Sequence, residues 1–184
     1  MSCNSTVGNC NLIDISGLCN PSDVTNVISK NPYWIQMNIP EYLAIPEVKP
    51  DMEEINSVTV SVNILRKEVI EVPVSPRDAN GNFISNLEGK VSTGRKLIIE
   101  GQLCQKVVYT ANLQEQPVHG AEFYVPFSAY IVVPPFIGTE DNDTLNIDFQ
   151  VNACIEDVAV RMIDERNILK QVTLLLYAVP NLSV

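Results

Sequence analysis

Eight residues, Ser57 to Ile64, constrain this chain more than any others. Val58, Val60, Val62 and Ile64 alternate with Ser57, Thr59, Ser61 and Asn63. Side chains of an extended strand point to opposite faces with a period of two, so this pattern describes a strand with one face buried and one in water. The same alternation returns in Phe123, Val125, Phe127, Ala129 and Ile131, and in Leu145, Ile147, Phe149 and Val151. Several such strands separated by turn signals predict an all-β fold, an antiparallel sandwich or distorted barrel.

Strands are expected at Trp34 to Ile39, Tyr42 to Ile45, Ser57 through Val72, Lys96 to Thr110, Ala121 to Val133, Thr144 to Val160 and Lys170 to Val179. Pro40 and Pro46 place the first two at an edge or bend, because proline cannot donate to a ladder. Asn80-Gly81 suits a tight turn. Further breaks fall at Gln116-Pro117, Pro134-Pro135 and the acidic run from Glu140 to Asp143. Two short helical turns are expected, one opened by Pro21-Ser22-Asp23 and running through Ile28, the other over Met52 to Ile55 after Lys49-Pro50-Asp51. Ile163 to Gln171 reads either as helix or as a long hairpin turn.

The first thirty residues differ from the rest. Asn, Ser, Gly and Cys dominate up to Asn20, with few apolar residues among them. The chain therefore divides into a flexible N-terminal arm, residues 1–30, and a β domain, residues 31–184. Neither a basic start nor an apolar core marks Met1 to Asn20, so no secretory signal is expected. No apolar run reaches the roughly 20 residues that a membrane span needs.

Of the five cysteines, Cys3, Cys10 and Cys19 lie in the arm, and Cys104 and Cys154 in strand-like segments. The strand cysteines are expected to be small buried hydrophobes. The arm has no core of its own, so its thiols should be exposed and available to cross-link neighbours. Cys3, Cys10 and Cys19 are the candidates for intersubunit disulfides. Their spacing contains no C-x-x-C, and the only histidine, His119, is distant in sequence, so neither a zinc site nor a redox motif is expected.

Twelve Lys and Arg against 22 Asp and Glu give a formal charge of -10. Such a surface cannot displace counterions from phosphates and is repelled by anionic lipid, so neither nucleic acid nor membrane is an expected partner. No P-loop or dinucleotide fingerprint is present. A nucleophile would need His119 as its base, and a Cys104–His119 pair lacks the glycine-rich turn that usually presents one. Asp78 to Asn82 and Asp141 to Asp143 each lack the full ligand register of a calcium loop and suit ordinary turns. No enzyme activity, no metal and no cofactor are expected.

Longer segments carry a family resemblance. Lys96-Leu-Ile-Ile-Glu-Gly-Gln-Leu-Cys-Gln-Lys-Val-Val-Tyr109, Glu115-Gln-Pro-Val-His-Gly-Ala-Glu-Phe123 and Val125-Pro-Phe-Ser-Ala-Tyr130 together resemble the clostridial SPOCS domain. Trp34-Ile-Gln-Met-Asn-Ile-Pro-Glu41, Ile45 to Asp51 and Ser57-Val-Thr-Val60 are similar to the opening of that family. The resemblance spans roughly Tyr33 to Val179 and leaves the arm outside. It implies a β-rich, non-catalytic module of endospore-forming anaerobes, in a family that includes a spore-coat morphogenetic protein. The LysM peptidoglycan-binding module of that coat protein is not in this sequence, so murein binding is not implied.

A spore-surface location (coat, exosporium or appendage) would need no signal peptide, because synthesis would take place in the mother-cell cytoplasm. The expected function is that of a structural protein of the spore surface that self-assembles into a layer or filament. Its partners would be further copies of itself and other spore coat proteins, with subunits linked through the arm and its cysteines. The alternative is a non-polymerising module that binds a coat protein or a glycan.

Overall fold

A computed structural model of the chain describes residues 13–115 and 117–182. They form a β-sandwich. One sheet has the order β1-β3-β4-β5 and the other β2-β7-β6. The strands are β1 (Asp14–Ser16), β2 (Trp34–Ala44), β3 (Met52–Val74), β4 (Thr93–Ala111), β5 (Val118–Val133), β6 (Phe149–Met162) and β7 (Asn167–Pro180). Each sheet keeps two edge strands, so the sandwich form of the expected fold is the one adopted and no barrel closes. All named pairs are antiparallel except β1 with β3, which is parallel.

The inward faces follow the alternation. Val58 and Val60 of β3, Leu97, Ile99, Leu103 and Val107 of β4, and Phe127 and Ile131 of β5 meet Ile39 and Leu43 of β2, Phe149 and Val158 of β6, and Ile168, Val172, Leu174 and Leu176 of β7. Burying a side chain of this size contributes about 1.5 to 3 kcal/mol. β7, the middle strand of its sheet, also buries the outward-facing Leu175.

One contact joins two of the family-like segments. Gly101 of β4 lies opposite Phe127 of β5. A Cβ at position 101 would sit 2.3 Å from the Phe127 ring, so the ring occupies the space that glycine leaves. Elsewhere the hairpin turn between β6 and β7 is tied to the β2–β3 loop by Arg166. Its guanidinium donates to the Ile45 carbonyl at 3.0 Å, the Pro46 carbonyl at 2.8 Å and the Lys49 carbonyl at 3.1 Å. It also pairs with Asp51 at 2.5 Å. The hydroxyl of Tyr109 donates to the Pro50 carbonyl from the other sheet.

Several expectations need correction. Met52 to Ile55 is not a helical turn but the start of β3. Thr144–Asn146 is a 3-10 turn, and the strand begins at Phe149. Asp143 caps that turn by accepting from the Leu145 amide, and the buried Thr144 hydroxyl donates to the Pro134 and Pro135 carbonyls. Ile163 to Gln171 resolves as the hairpin turn followed by β7. The expected break at Gln116-Pro117 falls between β4 and β5, with Gln116 itself outside the described residues. The first helix is longer than expected. α1 spans Pro21–Lys30, with the Asn20 side chain accepting from the Ser22 amide as its cap.

Gly101→Ala should cost about 1 to 3 kcal/mol, because the Phe127 ring must leave its position. Urea unfolding would show a lowered midpoint at unchanged slope. Asp164, in the β6–β7 turn, is held below the ordinary carboxyl value of 3.8, first by the Asn167 side chain and then by the Arg166 amide. Folding thus favours the ionised carboxylate. The stability it confers is complete above 3.8 and is lost as pH falls through the lowered native value. Asp164→Asn should therefore be less stable than the parent chain near neutrality, and the two melting curves should converge as the pH is lowered below 3.8 and through the depressed native value.

Candidate functional site: the N-terminal segment and a buried polar cluster

The described part of the N-terminal arm is threaded around the sandwich. Asp14, Ile15 and Ser16 pair with Ser57, Val58 and Thr59, so β1 covers that stretch of the otherwise free edge of β3. Ile13 and Ile15 pack on the core. The Ser16 hydroxyl donates to that of Thr59 at 2.9 Å. Gly17 then adopts φ +101°, and a Cβ there would lie 1.9 Å from the Val60 carbonyl oxygen. Only glycine lets the chain pass so close to β3 in this conformation.

Beyond Gly17 the segment crosses to the other sheet. The Cys19 amide donates to the Ile155 carbonyl at 2.8 Å. Cys19 is bridged to Cys154 of β6, with Cα atoms 5.6 Å apart, within the usual range for a disulfide. A bulge between Ile155 and Asp157 separates the two inward registers of β6. Before it, Ile155 points into the core, and Cys154 lies on the outer face beside Leu175. α1 packs over the same strand and returns the chain to β2.

Of the three arm cysteines, Cys19 is thus engaged within its own chain, and Cys3 and Cys10 lie outside the described residues. Cys154 is buried, as expected, but as half of a bridge rather than as a free hydrophobe. Cys104 is half-buried opposite Tyr124 and is a free thiol. His119 lies opposite Tyr109 and stacks on its ring at 5.9 Å. Five register steps, about 17 Å along the strand, separate it from the position of Cys104, so those two do not pair. Asp78 is spent on its own turn, accepting from the Asn80 and Asn82 amides, which lower its pKa. Among the described residues no three His, Cys, Asp or Glu side chains converge as metal ligands.

Strand patterning alone did not single out a second constellation. Glu41 of β2, Lys170 of β7 and Gln105 of β4 are 5%, 1% and 3% exposed. Each occupies an inward register position: Glu41 between Ile39 and Leu43, Gln105 between Leu103 and Val107, Lys170 between Ile168 and Val172. The Lys170 ammonium donates to Glu41 Oε2 at 2.8 Å. The Gln105 amide nitrogen donates to both Glu41 oxygens at 3.0 Å. Burial pushes the Lys170 pKa down, opposed by its hydrogen bond to Glu41 and the charge of that carboxylate. Gln105 Oε1 is buried with no partner. The available signal was a polar residue in the inward register of an otherwise apolar strand face.

Removal of the Cys19–Cys154 bridge should cost about 4 to 5 kcal/mol by the loop-entropy account, given its separation of 135 residues. Denaturant unfolding of the oxidised chain, the reduced chain and Cys19→Ser measures this. Reduction and substitution should give matching losses.

No curated protein and no solved structure matches the chain. The family described as SipL, SPOCS domain, matches residues 51–163, which run from the start of β3 through β6 and carry Gly101, Phe127, Gln105 and Cys154. That match extends over more than half of the sequence, and the chain belongs to the SPOCS-domain family, which is linked to bacterial spores.

Proposed function

We propose that the chain is a structural, non-catalytic protein of the spore surface, whose subunits join into a layer or filament through the N-terminal segment. The observation that carries this reading is how that segment meets the sandwich. It joins as an added edge strand of three residues, latched by Cys19, with Cys10 four and Cys3 eleven residues ahead of Asp14. A strand that short can be given to a neighbour's β3 as readily as to its own, since the ladder it completes is the same. Cys3 and Cys10 would then form the covalent links between subunits. Cys19 would join them only where a neighbour's segment replaces the chain's own. These bonds would form once the protein leaves the reducing cytoplasm. Membership of a spore-linked family supports the location. The acidic surface favours neither nucleic acid nor anionic membrane as partner.

The test is electrophoresis of air-oxidised protein with and without reductant, alongside negative-stain imaging. A ladder of covalent multimers that collapses on reduction, is weakened in a Cys3→Ser/Cys10→Ser variant and is absent when Cys19→Ser is added, is the expected result. A single monomer band under both conditions with no polymers on the grid would overturn the proposal. An arm-deleted chain that still binds coat material as a monomer would favour a binding module instead.

A further inference from the structure

The Glu41–Lys170–Gln105 cluster makes little sense as a stabilising device. A buried ion pair seldom repays the desolvation of its charges, and apolar residues of similar size would serve the core as well or better. Here the pair sits mid-core with a carboxamide whose oxygen is unpartnered, itself costly in an apolar surrounding. Those three groups are, however, the complete set for one reaction. They are an amine whose ammonium form burial disfavours, an acyl donor with a leaving nitrogen, and a carboxylate touching both nitrogens.

We propose that Lys170 and Gln105 condense into an intrachain amide between the two sheets, with Glu41 as the acid–base catalyst and ammonia as the only product released. Lys170 Nζ and Gln105 Nε2 both donate to the same atom, Glu41 Oε2, at 2.8 and 3.0 Å, so the amine is held next to the carboxamide it attacks. A proton passes from the Lys170 ammonium to Glu41, leaving a neutral amine and a neutral acid. The carboxamide turns over, and its orphaned Oε1 accepts from the new Glu41 hydroxyl, which polarises the carbonyl.

The Nζ lone pair then forms a bond to Gln105 Cδ. Glu41 delivers its proton to Nε2 and takes one from Nζ. The Cδ–Nε2 bond breaks with its electron pair on nitrogen, and ammonia departs. Of the three protons on the original ammonium, one stays on the new amide nitrogen, one on Glu41 and one leaves in ammonia. Nothing is oxidised or reduced. The reaction replaces a buried ion pair by a neutral amide and a neutral acid hydrogen-bonded to it, which relieves the burial of charge.

The link would join β4, in the middle of one sheet, to β7, in the middle of the other. It differs from the Cys19–Cys154 bridge in being insensitive to reductant. Its presence or absence is also independent of whether subunits polymerise.

Mass spectrometry of the purified, folded chain, denatured and fully reduced, decides the matter. The expected mass is that of the sequence less one ammonia. Trypsin should then fail to cut after Lys170 and should yield a branched peptide joining residues 97–106 to residues 167–184. Ring closure at Asn80-Gly81 also releases ammonia, so the branched peptide is the assignment that counts. Glu41→Gln, which keeps the shape and removes the base, should retain the ammonia, be cut after Lys170 and release residues 97–106 as a linear peptide. If that variant does not fold, the parent chain still answers. An unmodified mass after prolonged incubation of the folded protein, with residues 97–106 recovered as a linear peptide, would overturn the proposal.

Discussion

Two sheets that bury one face each against the other satisfy most of their apolar surface, but they leave two open flanks and four strands with an unpaired side. How those edges are handled determines much of the rest. Along one flank β3 of the first sheet lies near β6 of the second, and the N-terminal segment closes the gap between them. It pairs with β3, passes Val60 through Gly17 and is fastened to β6 at Cys154. An unpaired strand edge invites association with other chains. Here the edge of β3 is covered at Ser57 to Thr59 by a piece of chain only three residues long, held in place more by its latch than by its ladder.

The ends of the sandwich are fixed in another way. Arg166 spreads its donors over three carbonyls and a carboxylate of the β2–β3 loop, so two turns that are remote in sequence become one polar knot. At the opposite end Lys67 pairs with Asp148 at 2.7 Å and donates to the Phe149 carbonyl, which ties β3 to the start of β6. The apolar core between these ends is interrupted at its centre by Glu41, Lys170 and Gln105. Among the described residues, those three and Thr144 are the buried exceptions to the rule that interiors are apolar, and only the three carry or face a charge there.

Much of this was legible in the sequence, because a period of two survives in a strand that buries one face. Val58, Val60, Phe127 and Ile131 all point inward as the alternation requires. The misreadings have a common physical origin. Met52, Ile55 and Val58 are buried three residues apart because β3 carries bulges at Met52/Glu54 and Ile55/Ser57, and a spacing of three imitates a helix. Leu145 continues an apparent alternation but is 40% exposed, since the Asp143 cap and the Thr144 hydroxyl bend the chain out of the strand. The pairing of Cys19 with Cys154 depends on how the segment crosses between sheets, which no local pattern encodes. The polar cluster was hidden for the same reason. Its members come from three strands and meet only when the sheets are stacked.

The bridge also has a mechanical meaning. A pull on the N-terminus first peels β1 from β3, which costs only a short ladder. At Cys19 the peeling stops, and the load passes sideways into β6, whose partner β7 is hydrogen-bonded on both sides. With the disulfide reduced, the same tension would travel on through α1 to the next strand, β2. One sulfur–sulfur bond therefore decides which strand bears the strain, and whether residues 20–30 are shielded from the load or carry it.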